Sequence, residues 1–174
     1  GQCETLPSDS LKEGERLELF EYKEDQRRDL KKLFQSLAGA EVLKLNISDP
    51  FCGTKRHRPT LKRFLSEVLA IPKSVASVEV SCREARADDD NYEHRFHVKA
   101  AIEDLLEEFG PRDIEVVVQD NRTPTRVFHD REIVVEIMTS DGSTTQERYF
   151  LTGGLDYLMN PRSDTKVFRY WVGM

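Results

Sequence analysis

The chain has 174 residues and a mass of 20.1 kDa, with 26 lysines and arginines, 32 acidic residues and a formal net charge of −6. This length suits one domain with a sizeable core. The acidic balance disfavours nucleic acid as a partner, because a polyphosphate requires a broad basic surface. No apolar run approaches the roughly 20 residues that span a bilayer. The three cysteines lack the spacing of a disulfide framework or a zinc site, so we expect a cytoplasmic protein that holds no metal or cofactor.

Residues 1–15 are polar and include Pro7 and Gly14, which predicts a linker or a disordered terminus. One domain is then expected over residues 16–174. The sequence begins with Gly1 rather than methionine. We therefore expect it to be cut from a longer protein, whose other domains would be among its partners.

Apolar spacing predicts that strands and helices alternate in the first two thirds of the chain. Leu30, Leu33, Phe34 and Leu37 recur at helical spacing, and Asp25 is a candidate cap for that helix. In chain order the predicted elements of this part are strand 17–22, helix 25–38, strand 41–48, helix 60–69, strand 75–82 and helix 94–109.

The last third of the chain predicts mainly strands. Asp141 followed by Gly142 is the strongest hairpin signal in the sequence. The predicted elements here are strand 113–119, strand 129–138, strand 144–151, a short helix at 155–159 and strand 167–172. The whole pattern predicts an α/β fold, in which helices flank a mixed sheet that carries an antiparallel hairpin toward its C-terminal end.

The segment FHDREI, which contains His129 and Arg131, carries the strongest candidate chemistry. On a strand, these two side chains would point to the same face. An imidazole that attacks or carries protons, beside a guanidinium that forks onto two oxygens, makes a phosphate site. The alternative is an internal polar network, in which Arg131 pairs with a buried carboxylate such as Asp49 or Asp156.

Two further segments are candidates for phosphate contacts. Gly153 and Gly154 allow a close approach of the backbone, so their N–H groups could bind a phosphate, or the pair could simply form a tight turn. Lys55, Arg56 and Arg58 belong to the most basic stretch of the chain, which would bind anionic lipid headgroups or remain a solvated loop.

Three motifs occur in a fixed order: SDPF at residues 48–51, FHDREI at 128–133 and GGLDY at 153–157. Together they resemble the phospholipase D-like domain that follows MIT domains, the MIT_C family, in which similar turns recur with similar separations. The resemblance covers residues 17–171. It implies a phospholipase D-like mixed sheet between helices, often in a homodimer, and a module that binds membrane phosphoinositides without catalysis.

Active members of the phospholipase D superfamily carry a His-x-Lys-x4-Asp motif, whose positions here hold His129, Arg131 and Glu136. Because two of the three signature residues differ, we expect a non-catalytic module that recognises anionic phosphate groups on membrane lipid headgroups or on a phosphorylated partner. Such a protein would be cytoplasmic and could bind at the membrane periphery.

Two alternatives remain open from the sequence. The first is a metal-independent phosphodiesterase or nuclease, in which His129 of two subunits meets across a dimer. The second is a purely structural dimerisation or interaction domain. In the second case Asp49, Asp130 and Asp156 belong to a structural polar network with Arg131, rather than to a ligand site.

Overall fold

A computed structural model describes residues 13–83, 95–110, 113–119 and 131–172. These residues form a seven-stranded sheet, four α-helices and one 3-10 helix at Gln35–Leu37. The strands are β1 (Glu15–Tyr22), β2 (Glu41–Ser48), β3 (Ser74–Arg83), β4 (Asp113–Gln119), β5 (Glu132–Met138), β6 (Thr144–Leu151) and β7 (Thr165–Val172). The helices are α1 (Leu30–Leu33), α2 (Arg58–Val68), α3 (Arg95–Glu107) and α4 (Gly154–Met159).

The sheet is mixed, and its strand order is β1-β7-β6-β5-β2-β3-β4. The strands β2, β3 and β4 run parallel, because α2 and α3 carry the chain back between them. The strands β5, β6 and β7 are antiparallel to their neighbours, and β1 pairs antiparallel with β7. The predicted α/β class with a mixed sheet is therefore confirmed, and its antiparallel part is larger than the predicted hairpin.

One face of the sheet carries the core. Ile133, Val135 and Ile137 of β5 are buried, whereas the residues between them are partly exposed. The buried face of α2 packs into this core, where each large apolar side chain contributes roughly 1.5–3 kcal/mol. The buried residues of α2 include Leu61, Phe64, Leu65 and Val68. Within the described residues, no helix has the length and apolar composition of a membrane span.

The predicted helix at residues 25–38 is wrong in its extent. Asp25 does not cap it, because its φ of 61° is left-handed and its N–H donates to the carbonyl of Pro161 at 2.9 Å. Asp29 caps the one-turn helix α1 instead, by accepting from the N–H of Lys32 at 3.3 Å. The apolar residues still face the core, because α1 and the 3-10 helix together keep a helical spacing.

Other boundaries differ by a few residues. The helix predicted at 60–69 begins at Arg58, since Pro59 is suited to the first turn. The helix predicted at 94–109 ends at Glu107, and the position of residue 94 lies outside the described residues. The strand predicted from His129 begins at Glu132, so Arg131 lies just before it rather than on it, and residues 120–130 are outside the described part. The linker prediction for residues 1–15 falls almost entirely outside it, since the description begins at residue 13.

The turn predicted at Asp141 and Gly142 is present and joins β5 to β6. Gly142 has a φ of 84°, which a glycine adopts without strain. The N–H of Thr139 donates to the carbonyl of Ser143 at 2.8 Å. The Asp141 carboxylate accepts from the hydroxyls of Ser143 and Thr139 and from the N–H of Ser143, and these hydrogen bonds lower its pKa from 3.8 to about 2.

Candidate functional site

A cleft of about 300 Å³ opens beside the paired ends of β2 and β5. It brings together parts of all three motifs, which are far apart in the sequence. The last pair of the two strands is Ser48 with Glu132, so Asp49 and Arg131 lie immediately beyond it. The residues that line the cleft are Asp49, Phe51, Cys52, His57, Thr60, Arg131, Gly153, Leu155, Asp156 and Tyr157.

Asp49 holds two sides of the cleft together. Its side chain is buried, and its Oδ1 accepts from the N–H of Phe51 at 2.9 Å. Its Oδ2 accepts from the N–H of Leu155 at 2.9 Å, near the start of α4. A carboxylate at a helix N-terminus is stabilised by the backbone dipoles. Asp49 therefore joins the turn after β2 to α4 through backbone hydrogen bonds, as a structural residue.

Gly154 is required by the same arrangement. Its φ is 67°, and a Cβ at this position would lie 2.8 Å from Asp49 Oδ2 and 2.9 Å from Arg131 Cδ. At Gly153 a Cβ would lie 2.3 Å from the ring of Tyr157. The glycine pair thus permits the close packing of the motifs against each other. A phosphate contact remains a prediction for Gly153, which lines the cleft, and for Gly154, which is buried beneath it.

Arg131 lies partly buried in the cleft. Its Nη1 donates to the carbonyl of Thr152 at 3.2 Å, and its guanidinium lies 5.6 Å from the centre of the Phe51 ring. Among the described residues, no carboxylate lies within ion-pair distance (4.0 Å) of this guanidinium. The alternative in which Arg131 forms an ion pair with Asp49 or Asp156 is therefore wrong. Among the described residues, the Asp49 carboxylate accepts hydrogen bonds from backbone N–H groups alone, those of Phe51 and Leu155.

Asp156 accepts hydrogen bonds from the segment that follows α4. Its Oδ1 accepts from Asn160 Nδ2 at 2.8 Å and from Arg162 Nη2 at 2.9 Å. Asn160 also contacts α2, since its amide donates to the hydroxyl of Thr60 at 3.3 Å and accepts from Arg63. Asp156 consequently fixes the wall of the cleft, and its charge is partly balanced by Arg162.

His57 is a cleft residue that the sequence reasoning did not select. It is partly buried and immediately precedes α2. The signal was present, because His57 stands in the basic stretch that follows β2. His129 and Asp130 lie outside the described residues, so whether His129 shares this cleft with Arg131 stays a prediction.

The three residues of the basic stretch predicted to contact phosphate do not line the cleft. Lys55 and Arg56 are exposed, and neither lines the cleft. Arg58 is partly buried, and its Nη1 donates to the carbonyl of Gly53 at 3.4 Å. The start of α2 offers few backbone donors, because Pro59 has no N–H and the N–H of Arg58 donates to the carbonyl of Thr54 at 2.9 Å. Positive charge in the cleft therefore comes from side chains.

The floor of the cleft contains a buried cysteine, whereas its rim contains exposed aromatic side chains. Cys52 is buried beside Cys82, and the hydrogen bond that its thiol makes with Cys82, followed by burial, raises the pKa of Cys52 well above its usual value. A thiol kept neutral is a poor nucleophile. Phe51 and Tyr157 are exposed aromatic residues at the rim.

The described residues of this cleft can hold an anion. Arg131 presents N–H donors whose fixed fork suits phosphate oxygens, and His57 adds an imidazole to the same cleft. The described residues contain no cluster of three or more side chains suited to a metal ion. Comparison of the sequence with protein-family models and with curated proteins finds no match.

Proposed function

We propose that the protein is a non-catalytic, phospholipase D-like module that binds the phosphate of an anionic lipid headgroup in this cleft. The module would act as part of a larger protein at the membrane periphery. The observation that carries the proposal is the position of Arg131, a partly buried residue that lines the cleft and has no carboxylate partner among the described residues.

A cation in such a position favours an anionic ligand. Removing a guanidinium from water costs free energy unless its N–H groups find acceptors. Within the described part of the chain, the one acceptor that Arg131 reaches is the carbonyl of Thr152. A bound phosphate would accept from the other donors, and each such charge-assisted hydrogen bond contributes roughly 1.5–3 kcal/mol.

The surroundings of the cleft favour a membrane as the source of that phosphate. Phe51 and Tyr157 are exposed at the rim, and aromatic side chains are enriched where a protein meets the headgroup region. Lys55 and Arg56 are exposed on the segment that leads from Phe51 to α2. Each basic residue near an anionic membrane contributes about 1 kcal/mol.

Co-sedimentation with vesicles tests the proposal. Vesicles of phosphatidylcholine with a phosphoinositide are compared with phosphatidylcholine alone and with an equal charge of phosphatidylserine. We expect the wild-type chain to bind the phosphoinositide vesicles best and Arg131→Gln to bind them at least about tenfold more weakly. Arg27→Gln is the matched control, because Arg27 is exposed and does not line the cleft.

Three results would overturn the proposal. Equal binding by the wild type and Arg131→Gln would remove the cleft as the site. Hydrolysis of a generic phosphodiester in EDTA, abolished by His129→Ala, would instead establish the phosphodiesterase alternative. Tight binding of a phosphorylated peptide without any vesicle binding would assign the ligand to a protein partner.

A further inference from the structure

The strand β1 forms one edge of the sheet and is unusually regular. It pairs with β7 without a bulge from Glu15, opposite Val172, to Tyr22, opposite Thr165. No described strand covers its other side. An uninterrupted edge presents unpaired N–H and C=O groups, which can pair with a strand of another chain.

Charged side chains alternate in sign across the sheet toward this edge. Arg169 of β7 donates through Nη2 to Glu147 of β6. Its Nη1 also lies 4.0 Å from Glu18 Oε1 of β1, which is the residue opposite Arg169 in the strand pairing. The row therefore reads acid, base, acid, and it ends with Glu18 at the open edge. A cation beyond Glu18 would continue it.

We propose that two copies of this chain pair antiparallel through β1, about a two-fold axis at Leu17. In this register Leu17 faces its own counterpart, and Arg16 of each copy faces Glu18 of the other. Arg16 is exposed and has the same strand parity as Glu18, so both side chains lie on one face of the sheet. Each Arg16 supplies the missing cation, and the row of alternating charges continues across the axis.

The charges select this register over its neighbours. Side chains must keep their faces across a continuous sheet, so the strand can shift only by steps that preserve parity. The next register places Glu18 opposite Glu18, and like charges directly opposite each other are destabilising. The register after that centres on Leu19 and places Glu18 opposite Phe20. Glu18 and Arg16 of both copies then have no oppositely charged residue across the axis.

The opposite face of the same edge carries three exposed apolar side chains beside the ion pair of Glu15 with Arg148. Leu17 is 40% exposed, Leu19 is 45% exposed and Val172 on β7 is 52% exposed. Pairing about Leu17 places the two Leu17 side chains together and each Leu19 opposite Glu15 of the other copy, so that apolar surface of Leu17 is removed from water on one face while ion pairs form on the other. This inference is independent of the proposed function, because β1 is separated from the β2–β5 cleft by β7 and β6 in the sheet.

Charge reversal tests the register. Sedimentation velocity of the full 174-residue chain is expected to show a monomer–dimer equilibrium. Arg16→Glu and Glu18→Arg should each raise the dissociation constant at least about tenfold, because each places like charges opposite. The double variant Arg16→Glu/Glu18→Arg should recover much of the lost affinity, because it restores the ion pairs between copies although the attraction between residue 18 and Arg169 stays lost. Glu21→Lys changes a charge on the same strand outside residues 15–19, which pair in this register, so it should leave the dissociation constant unchanged.

Crosslinking provides a second readout that does not depend on the stability of charge variants. In a Cys3→Ser background, Leu17→Cys is expected to form a disulfide-linked dimer under oxidised glutathione, since directly opposite residues lie about 4.5–5.5 Å apart. Leu19→Cys should crosslink far less. Circular dichroism verifies that every variant is folded.

Three outcomes would overturn the inference. The wild-type chain could remain monomeric at the highest accessible concentration. The dimer could persist in both single charge reversals. Leu19→Cys could crosslink in place of Leu17→Cys, which would show that the edge pairs in another register.

Discussion

Two arginines of this protein show the difference between a structural charge and a charge that is available to a ligand. Arg169 donates to Glu147, which also accepts from Ser36 at 2.5 Å and from Tyr149 at 3.1 Å. Burial alone would lower the pKa of Arg169, but the hydrogen bond to Glu147 raises it. Arg131 lies in a cleft without such a carboxylate in the described residues. Comparable side chains therefore stabilise the fold in one place and favour a ligand in the other.

The largest effect should come from breaking the paired site. Glu147→Gln removes the carboxylate that Arg169 donates to and leaves the partly buried guanidinium with Glu18 alone, whose Oε1 lies 4.0 Å from Nη1. We expect the free energy of unfolding to fall by about 3 kcal/mol, as for other buried pairs that lose one partner. Urea denaturation measures this. A loss below about 1 kcal/mol would show that the network contributes no more than an exposed ion pair.

The next effect concerns the packing of the cleft wall. Gly154→Ala combines a left-handed backbone with a Cβ at 2.8 Å from Asp49 Oδ2, so the free energy of unfolding should fall by about 2–3 kcal/mol. Gly39→Ala is the matched control. Its φ of 73° is similar, but nothing lies within 4 Å of its Cβ, so only the backbone strain of about 1–2 kcal/mol applies. Equal losses would show that the contacts of Gly154 are unimportant.

A smaller effect on stability is expected at Arg131 itself. Arg131→Gln removes one hydrogen bond to Thr152 and no ion pair among the described residues. The free energy of unfolding should change by less than about 1 kcal/mol, whereas phosphate binding is lost. If Arg131→Gln were as damaging to stability as Glu147→Gln, Arg131 would be a structural residue like Arg169.

The smallest effect should be a pH dependence at the β5–β6 turn, which is remote from both arginines. The folded state lowers the pKa of Asp141 from 3.8 to about 2, so the ionised carboxylate stabilises the turn above the higher value. This stabilisation is lost as the pH falls toward the lower value. The melting temperature of wild type should exceed that of Asp141→Ala at neutral pH, and the difference should narrow in acid. If the difference in melting temperature did not change with pH, the Asp141 carboxylate would not stabilise the turn through its hydrogen bonds.

The sequence predicts the local elements well and their long-range partners poorly. The strand Glu41–Ser48 and the turn at Gly142 follow from neighbouring residues alone. The pairing of β1 with β7 joins the two ends of the domain, and no local signal encodes it. The helix predicted from Asp25 failed because a tertiary hydrogen bond to Pro161 holds that residue in a left-handed conformation.

At the candidate site, too, the sequence predicts local features better than long-range contacts. Asp49 directly follows the predicted strand 41–48, and it lies beside Arg131 at the carboxyl end of β2, where ligands gather in α/β sheets. Whether Arg131 pairs with Asp49 could not be judged from spacing, because the surroundings of Asp49 depend on distant residues such as Leu155, whose N–H donates to its carboxylate. His57 was missed because its approach to the cleft requires the turn between β2 and α2, which the residue pattern does not specify.

The most direct test observes the Arg131 side chain while a soluble headgroup is added. In ¹⁵N NMR spectra the Nε–H signal of Arg131 is assigned by its absence in Arg131→Gln, and that of Arg169 by its absence in Arg169→Gln. Titration with an inositol phosphate should move the Arg131 signal to saturation and leave the Arg169 signal in place. An Arg131 signal that stays fixed while the inositol phosphate binds elsewhere, or does not bind, would contradict the account.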